Sequence, residues 1–230
     1  MKVFEIAILV FLKNDIDSKE AFSKISGFID SGLAKKSKLL ELHNKNTYKN
    51  YCFCSFYPLE KNKIYGVGKN YTIRIRTVDY ELAQFFCEKL VNHFNDNLKA
   101  LTSTIRILPK NHIEKIYSIT PLVLKTNEGY WKGHISLNDF ERRLKDNLIK
   151  KYNLLMNTKI NEDFPLYTSI EFKNKKPVAI NYKGKKILGD KLSIHISNDK
   201  MAQELAYMSL GTGVLEMNAR GAGYMNVKWL

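Results

Sequence analysis

The amino-acid sequence predicts an α+β protein built from two tandem ferredoxin-like (RRM-like) domains, with a glycine-rich loop near the C-terminal end. One observation is an element order of strand, helix, strand, strand, helix and strand, which is completed before residue 112 and then begins again. A second is size, because 230 residues, of which 44% are hydrophobic, suffice for two small domains with buried cores. The third is a cluster of four of the twelve glycines after residue 210. We therefore predict domains over residues 1–112 and 113–230, with a single elaborated α+β domain as the alternative.

The first unit begins with an apolar, β-branched run over residues 3–12, which is typical of a central strand. The helix that follows is expected to have Asp17 or Ser18 as its N-cap and to end at Gly32, because apolar residues recur between them at helical spacing. The remaining elements predicted for this unit are strands over residues 51–57, 71–77 and 101–108 and a helix over residues 79–94.

The strand over residues 71–77 has the clearest alternation in the chain. One predicted face carries Tyr71, Ile73 and Ile75, and the other carries Thr72, Arg74 and Arg76. Since successive side chains of a strand point to opposite faces, this pattern predicts a half-buried strand with a basic outer face.

The second unit opens with a strand over residues 113–125, interrupted by Pro121, and continues with a helix that Ser136 begins with capping-box character. Residues 167–172 and 177–182 are expected to pair with each other as strands, and a further strand spans residues 186–196. A last helix over residues 199–210 is expected to end with Gly211 as its C′ residue. The apolar stripe of the Ser136 helix is predicted to consist of Leu137, Phe140, Leu144, Leu148, Tyr152 and Leu155.

The charge balance indicates the kind of partner. Lys and Arg number 37 against 23 Asp and Glu, a formal net charge of +14. Such a surplus favours a polyanionic partner, of which nucleic acid is the usual one, although ordinary lysine-rich solvated surfaces are the alternative.

Three cysteines, Cys52, Cys54 and Cys87, show no Cys-x-x-Cys spacing, and we interpret the first two as small core residues of a protein in the reducing cytoplasm. The opening residues lack the pattern of a signal peptide, and no apolar run approaches the roughly 18 residues of a membrane span. We therefore expect no membrane partner.

The C-terminal stretch over residues 210–230 carries two Gly-x-Gly pairs, Gly211 with Gly213 and Gly221 with Gly223, and Arg220 stands just before the second. Glycine permits positive φ and leaves no Cβ in the way of a close partner, so two such turns can bring backbone N–H groups against a phosphate chain. The alternative is a helix that ends at Gly211, followed by a tight connection into a last strand.

This double pattern resembles the signature of the RAMP superfamily of CRISPR-associated proteins, and within it the Cas-six family of endoribonucleases that cut CRISPR precursor RNA. Thr212 stands where an apolar residue is common in that signature, which covers about a tenth of the chain. The resemblance implies tandem ferredoxin-like domains, CRISPR repeat RNA as the partner, and no cofactor. Further subunits of a CRISPR effector complex and a second copy in a homodimer are additional expected partners.

Five histidines, His43, His93, His112, His134 and His195, are scattered without metal-ligand spacing, so no metal site is expected. His43 differs in its company, because it follows a basic connector and precedes Asn44, Tyr48 and Lys49. RNA supplies its own nucleophile in the 2′-hydroxyl, so a histidine that moves a proton and a lysine that stabilises the crowded phosphate suffice to cut it without metal. An ordinary loop histidine is the alternative.

The resemblance implies that His43 is the catalytic histidine, which in the Cas-six family follows the first helix, and that Lys49 stabilises developing charge. Some members carry a tyrosine on the first helix, but its counterpart here is Phe28, which belongs to the apolar stripe and has no proton to give. Tyr48 is the candidate replacement, with an orienting role because an unshifted phenol titrates near pH 10.

Further cations are candidates for contact with the RNA backbone. Lys35, Lys36 and Lys38 flank the His43 segment, and Arg74 and Arg76 project from the predicted sheet face. For each of them an ordinary solvated charge is the alternative. The whole pattern predicts a metal-independent endoribonuclease acting on CRISPR repeat RNA, with a non-catalytic RAMP-type RNA-binding subunit of an effector complex as the competing hypothesis.

Overall fold

A computed structural model of the chain describes residues 1–35, 48–182 and 184–230. The longer helices are α1 (Ala21–Leu33), α2 (Tyr80–Gln84, continued by a π-helical turn over Phe85–Lys89), α3 (Leu137–Met156) and α4 (Lys200–Thr212). The strands are β1 (Phe4–Leu12), β2 (Ile16–Asp17), β3 (Tyr51–Phe53), β4 (Ile64–Tyr65), β5 (Asn70–Thr77), β6 (Leu98–Ile107), β7 (Ile113–Ser118), β8 (Lys125–Thr126), β9 (Gly129–Tyr130), β10 (Tyr167–Phe172), β11 (Val178–Tyr182), β12 (Lys185–Gly189), β13 (Leu192–Ile196) and β14 (Met225–Trp229).

The first sheet has the strand order β3-β5-β1-β6, with every neighbouring pair antiparallel. Ile6 and Ile8 of β1 lie opposite Ile75 and Ile73 of β5, and all four side chains are buried. Along the chain these four strands come in the order β1, β3, β5 and β6, with α1 between β1 and β3 and α2 between β5 and β6. This is the ferredoxin-like βαββαβ unit.

The second sheet has the order β10-β13-β7-β14, again antiparallel throughout. If the four strands are numbered by their order in the chain, they lie across the sheet in the order 2-3-1-4, and the strands of the first sheet lie in the same order. The α+β fold of two ferredoxin-like units predicted from the sequence is therefore confirmed. The placement of a domain boundary between residues 112 and 113 stays a prediction.

One predicted strand pairing is wrong. β10 pairs with β13, whereas β11 pairs with β12 in a separate hairpin whose two-residue connection contains Gly184 at a φ of 74°. A two-residue loop with glycine at positive φ favours this local hairpin over the longer connection through residues 173–176. The predicted strand over residues 186–196 is accordingly divided between β12 and β13.

The helix limits differ from the prediction where a tertiary contact replaces a local signal. The N-cap of α1 is Glu20, not Asp17 or Ser18, because Asp17 belongs to β2 and pairs with Ile64. Gly32 lies inside the helix, where an added Cβ would come 2.4 Å from Leu90 Cδ2, so close packing explains this glycine. The second helix is shorter than predicted and ends in the π-helical turn.

The cap predicted at Ser136 is confirmed, and a second cap is found at Asp199. The Ser136 Oγ accepts a hydrogen bond from the Asp139 N–H at 3.0 Å, and the Asp199 carboxylate accepts from the N–H of Met201 at 2.8 Å. None of the helices in the described ranges is long and apolar enough to cross a membrane.

Candidate active site

A cleft of about 350 Å³ lies where the two halves of the chain meet. Four parts of the chain line it: the residues from 48 to the start of β3, Lys125 of β8, one side chain of α3, and the end of α4 with the loop that follows it. The residues at its wall are Tyr48, Lys49, Asn50, Tyr51, Lys125, Lys151, Thr212, Leu215, Glu216, Met217, Asn218, Ala219 and Arg220. The cleft thus contains Tyr48, Lys49 and Arg220, which the sequence analysis had singled out separately.

The glycine-rich loop (residues 211–223) folds back on itself after α4. Gly213 caps the helix with a φ of 74°, and its N–H donates to the Ser209 carbonyl at 2.8 Å. Gly221 and Gly223 have φ values of 91° and 67°, in the left-handed region that favours glycine. The Gly223 N–H donates to the Pro121 carbonyl at 2.9 Å, which holds the loop against the start of the second half.

Two expectations about these glycines are wrong. Gly211 is not the C′ residue of the last helix; it lies within the final turn of α4, where an added Cβ would come 2.8 Å from Val78 Cγ1. The positions next to Gly213 and Gly221 are not open to a phosphate, because an added Cβ would meet Asn218 Nδ2 at 2.4 Å and the Phe22 ring at 2.3 Å.

The glycine N–H groups are also used internally. Those of Gly213, Gly221 and Gly223 all donate to carbonyls of the chain itself, over 2.8 to 3.1 Å. The glycines therefore shape and close the loop, as the packing interpretation expected. Contact between the glycine-rich loop and RNA stays a prediction that would involve other atoms.

Lys151, which was not among the site residues predicted from the sequence, is a buried side chain that holds the loop in place. Its Nζ donates to the carbonyls of Gly213 at 2.8 Å and Leu215 at 2.9 Å and to Asn218 Oδ1 at 2.7 Å. Burial lowers the pKa of Lys151 to about 7, against the opposing effects of Cys52 and Glu216. The sequence did contain a signal for its burial, because Lys151 lies three residues after Leu148 and so falls on the apolar stripe of α3.

Arg220 connects the loop to the first half of the chain. Its guanidinium lies 2.5 Å from the Asp30 carboxylate of α1 and also donates to Ser26 Oγ. The centre of the Tyr182 ring lies 5.8 Å from the guanidinium carbon. Arg220 is therefore held in an ion pair within the chain, although its side chain keeps 23% of its surface exposed, and its contact with RNA stays a prediction.

Lys49 stands close to Arg220 in the cleft. Burial, followed by the positive charge of Arg220, lowers the pKa of Lys49, and the Asp30 carboxylate opposes the change. Two cations that disfavour each other in this way create a position where an anion is stabilised.

Tyr48 lies on the loop side of the same cleft. Burial and then the negative charge of Glu216 raise the pKa of Tyr48, so its phenol remains protonated at neutral pH. The Lys151 Nζ lies 5.6 Å from the centre of the Tyr48 ring. This placement supports an orienting role rather than proton abstraction.

The remaining predicted site residues divide into three groups. His43, Lys36 and Lys38 lie outside the described residues. Lys35 lies just after the C-terminal end of α1, and its Nζ is 3.1 Å from His93 Nδ1. Arg74 is exposed on the outer face of β5, with its guanidinium 5.6 Å from the Tyr57 ring.

The placement of Arg76 on a solvent-facing surface is wrong. Its Nε donates to Glu5 Oε2 at 2.7 Å and its guanidinium to the Met225 carbonyl at 2.6 Å, and the side chain is buried. Burial tends to raise the pKa of Glu5, but Arg76 and Arg106 hold it below the ordinary value. The side chains of β5 alternate as predicted, but β14 and the chain that leads into it cover the end of the outer face where Arg76 lies.

Two other interpretations are confirmed. Phe28 is fully buried in the first core, with its ring 4.9 Å from that of His93. Cys52 is likewise a buried core residue, whereas Cys54, which was also expected in the core, is only partly buried. Within the described ranges no three His, Cys, Asp or Glu side chains are grouped so that they could hold a metal ion.

The C-terminal region matches a known family. Residues 105–227, more than half of the chain, match the model of "CRISPR associated protein Cas6, C-terminal". The chain belongs to the Cas6 family. A search of curated protein sequences finds no significant match to it.

Solved structures share the fold of this Cas6 chain over nearly its whole length. A RAMP protein described as binding different RNA substrates has a TM-score of 0.74 at 14% identity, covering 98% of this chain and 99% of its own. A Cas6-related protein from Pyrococcus furiosus has a TM-score of 0.69 at 17% identity, covering 98% of each chain. A Cas6 protein in a product complex has a TM-score of 0.64 at 16% identity, covering 99% of this chain and 100% of its own.

Proposed function

We propose that this Cas6 protein is a metal-independent endoribonuclease that binds CRISPR repeat RNA and cuts precursor crRNA at the cleft between its two halves. The observation that carries the proposal is the meeting of Lys49 and Arg220 in that cleft, directly after the segment that contains His43. A cation that stabilises the phosphate, together with a group that moves a proton, suffices for RNA cleavage by its own 2′-hydroxyl.

The reaction begins with the 2′-hydroxyl of one nucleotide attacking the adjacent phosphorus. The proton of that hydroxyl leaves to a base, the bond to the 5′-oxygen of the next nucleotide breaks, and that oxygen takes up a proton from an acid. The products are a 2′,3′-cyclic phosphate and a 5′-hydroxyl. His43 acts in one of the two proton transfers, and Lys49 stabilises the negative charge that grows on the phosphate oxygens.

Arg220 is a partial participant in this scheme. Its pairing with Asp30 leaves one side of the guanidinium at the cleft, where its charge adds to that of Lys49. Since the positive charge of Arg220 lowers the pKa of Lys49, a phosphate between them relieves that repulsion as well as gaining two attractions. Tyr48 orients the RNA from the loop side.

The RNA-binding part of the proposal has further support in the family. The relatives of similar fold include a RAMP protein described as binding RNA substrates and a Cas6 protein in a product complex. The net charge of +14 agrees with a polyanionic partner. Arg74, on the exposed outer face of β5, extends the cationic surface away from the cleft.

Incubation of the protein with end-labelled CRISPR repeat RNA from the same genome, in excess EDTA, tests the proposal. We expect cutting at one position, a 5′-hydroxyl that polynucleotide kinase can label without prior phosphatase treatment, and no cutting of the all-2′-deoxy oligonucleotide of the same sequence. Activity that disappears in EDTA and returns with magnesium contradicts the mechanism. Tight binding without cutting instead indicates a non-catalytic RNA-binding subunit.

A further inference from the structure

Tyr51 presents an anomaly in the cleft. It is the first residue of β3, its side chain is 2% exposed, and its ring packs edge-on against Phe86 with the centroids 5.3 Å apart. Its buried hydroxyl has no hydrogen-bond partner among the residues that the structure describes. The residue also lines the cleft beside Lys49 and Arg220.

The other buried tyrosines of the described ranges behave differently. The Tyr207 hydroxyl donates to the Leu108 carbonyl at 2.8 Å and accepts from the Val3 N–H at 3.3 Å. The Tyr71 hydroxyl donates to Glu60 Oε1 at 2.6 Å, and that of Tyr224 lies 3.3 Å from Glu5 Oε2. The Tyr65 hydroxyl lies 3.3 Å from Ser55 Oγ. Among the residues that the structure describes, the other buried phenol groups therefore have partners and that of Tyr51 has none.

A buried hydroxyl without a partner is a cost to the folded protein, because it has lost its bonds to water and gained none. Phenylalanine would occupy the same volume in the core without that cost. The presence of tyrosine at this position is explained if a bound ligand supplies the hydrogen-bond acceptor for its hydroxyl.

The surroundings indicate the chemistry of that partner. Burial raises the pKa of Tyr51, the charge of Asp30 raises it further, and the charge of Arg220 opposes both. The hydroxyl therefore remains a neutral donor at physiological pH. A neutral donor beside the cations of Lys49 and Arg220 is suited to an anionic oxygen acceptor.

We propose that the Tyr51 hydroxyl, Lys49 and Arg220 form a phosphate-binding site in which Tyr51 donates a hydrogen bond to a phosphate oxygen of the bound RNA. The inference rests on the proposed function for its ligand, but the lack of a hydrogen-bond partner for the hydroxyl among the described residues is observed independently of it. Tyr51 contributes binding of the phosphate and moves no proton in this scheme.

Tyr51→Phe tests the site because a ligand-binding hydroxyl and a structural hydroxyl predict different changes in melting temperature and in RNA cleavage. If the hydroxyl serves the ligand, its removal leaves the melting temperature unchanged or raises it, while cleavage of repeat RNA in EDTA falls about 10- to 100-fold, as expected for a lost bond to a charged group. Tyr207→Phe is the matched control. It removes a hydroxyl that is bonded on both sides and is no part of the cleft lining, so it should lower the melting temperature and leave cleavage unchanged.

Two results overturn the proposal. A fall in melting temperature for Tyr51→Phe like that of Tyr207→Phe shows that the hydroxyl has a structural partner. Cleavage by Tyr51→Phe at the wild-type rate shows that the ligand does not use it.

A second measurement separates this inference from the proposed function. Titration with inorganic phosphate should raise the melting temperature of the wild type more than that of Tyr51→Phe, even if the wild type cuts no RNA. Equal shifts in the two proteins, or none in either, overturn the phosphate site. A larger shift in the wild type without RNA cleavage leaves the phosphate site standing and removes the proposed endoribonuclease.

Discussion

The guanidinium of Arg220, in the glycine-rich loop, lies 2.5 Å from the carboxylate of Asp30, in α1. The two residues are 190 positions apart in the chain, and their contact joins the second half of the fold to the first. The same guanidinium faces the cleft and lowers the pKa of Lys49. One side chain thus links the assembly of the halves to the electrostatics of the candidate site.

The first prediction concerns this ion pair. We expect Arg220→Ala to lower the free energy of unfolding by about 1–2 kcal/mol, between the values for exposed and buried pairs, because both side chains are partly exposed. A double-mutant cycle with Asp30→Ala, measured by urea unfolding, isolates the interaction, and additive losses would argue against it. Binding of repeat RNA by Arg220→Ala should also weaken, with a smaller dependence on salt.

The second prediction concerns the conformation of the loop. Gly221→Ala places a Cβ at a φ of 91° and 2.3 Å from the Phe22 ring, so we expect a loss of roughly 2 kcal/mol or more in the free energy of unfolding. Gly27→Ala is the matched control, because Gly27 lies in α1 with no heavy atom within 4 Å of the added Cβ. That variant should be unchanged or gain up to about 1 kcal/mol from helix propensity. Equal thermal stability of the two variants would contradict the packing explanation.

The third prediction is a pH dependence that Lys151 produces. Its pKa of about 7 in the folded protein lies below the ordinary 10.5 of the unfolded chain, so between these values the unfolded state binds more protons. The contribution of this residue to stability should therefore rise with pH through this window, by on the order of 1 kcal/mol per pH unit.

Urea unfolding of the wild type and of Lys151→Met, from pH 6.5 to pH 10, tests it. The difference between the two curves isolates Lys151 from the other groups that titrate. We expect the free energy of unfolding of the wild type to rise relative to that of the variant as the pH increases. Parallel curves would show that the pKa of the buried amine is not depressed. At pH 6.5, where the ammonium form supplies three N–H donors, the variant should lose order in the loop, because three acceptors lose their donor.

The fourth prediction concerns the proposed chemistry. His43→Ala should lower the rate of RNA cleavage by about 10²- to 10⁴-fold, the usual effect of losing a general acid or base, with nearly unchanged RNA affinity. Lys49→Ala should lose less, because Arg220 stays near the phosphate. His112→Ala is the control, since that histidine is exposed and bonded to Asn198 instead. If His43→Ala cuts as fast as the wild type, the acid–base assignment is wrong.

Much of the fold was predictable because its signals are local. The alternation of residues 71–77 predicts β5, and the Ser136 and Asp199 side chains cap the helices that they were expected to begin. Two repeats of one element order then predict the topology, since few arrangements of such short connections exist. The resemblance of the glycine-rich loop to the Cas-six signature led to the family that the match over residues 105–227 establishes.

The candidate site was predictable only in part, because alternation and spacing do not reveal what covers a surface. Arg76 lies on the outer face of β5 as its position requires, yet that face is closed by β14 and the arginine is buried with Glu5. Lys151 falls on an apolar stripe, where only the three acceptors of a distant loop make a charged side chain acceptable.

The sequence by itself determined the order of the main elements, the helix cap at Ser136, the paired ferredoxin-like topology and the glycines that a tight loop needs. Only the tertiary structure decided that those glycines face Asn218 and Phe22, that Arg220 pairs with Asp30, and that the Tyr51 hydroxyl is left without a partner in the described fold. The physical reason is range. Backbone propensity, capping and periodicity act over a few neighbouring residues, whereas burial and ion pairing depend on groups that folding brings together from opposite ends of the chain.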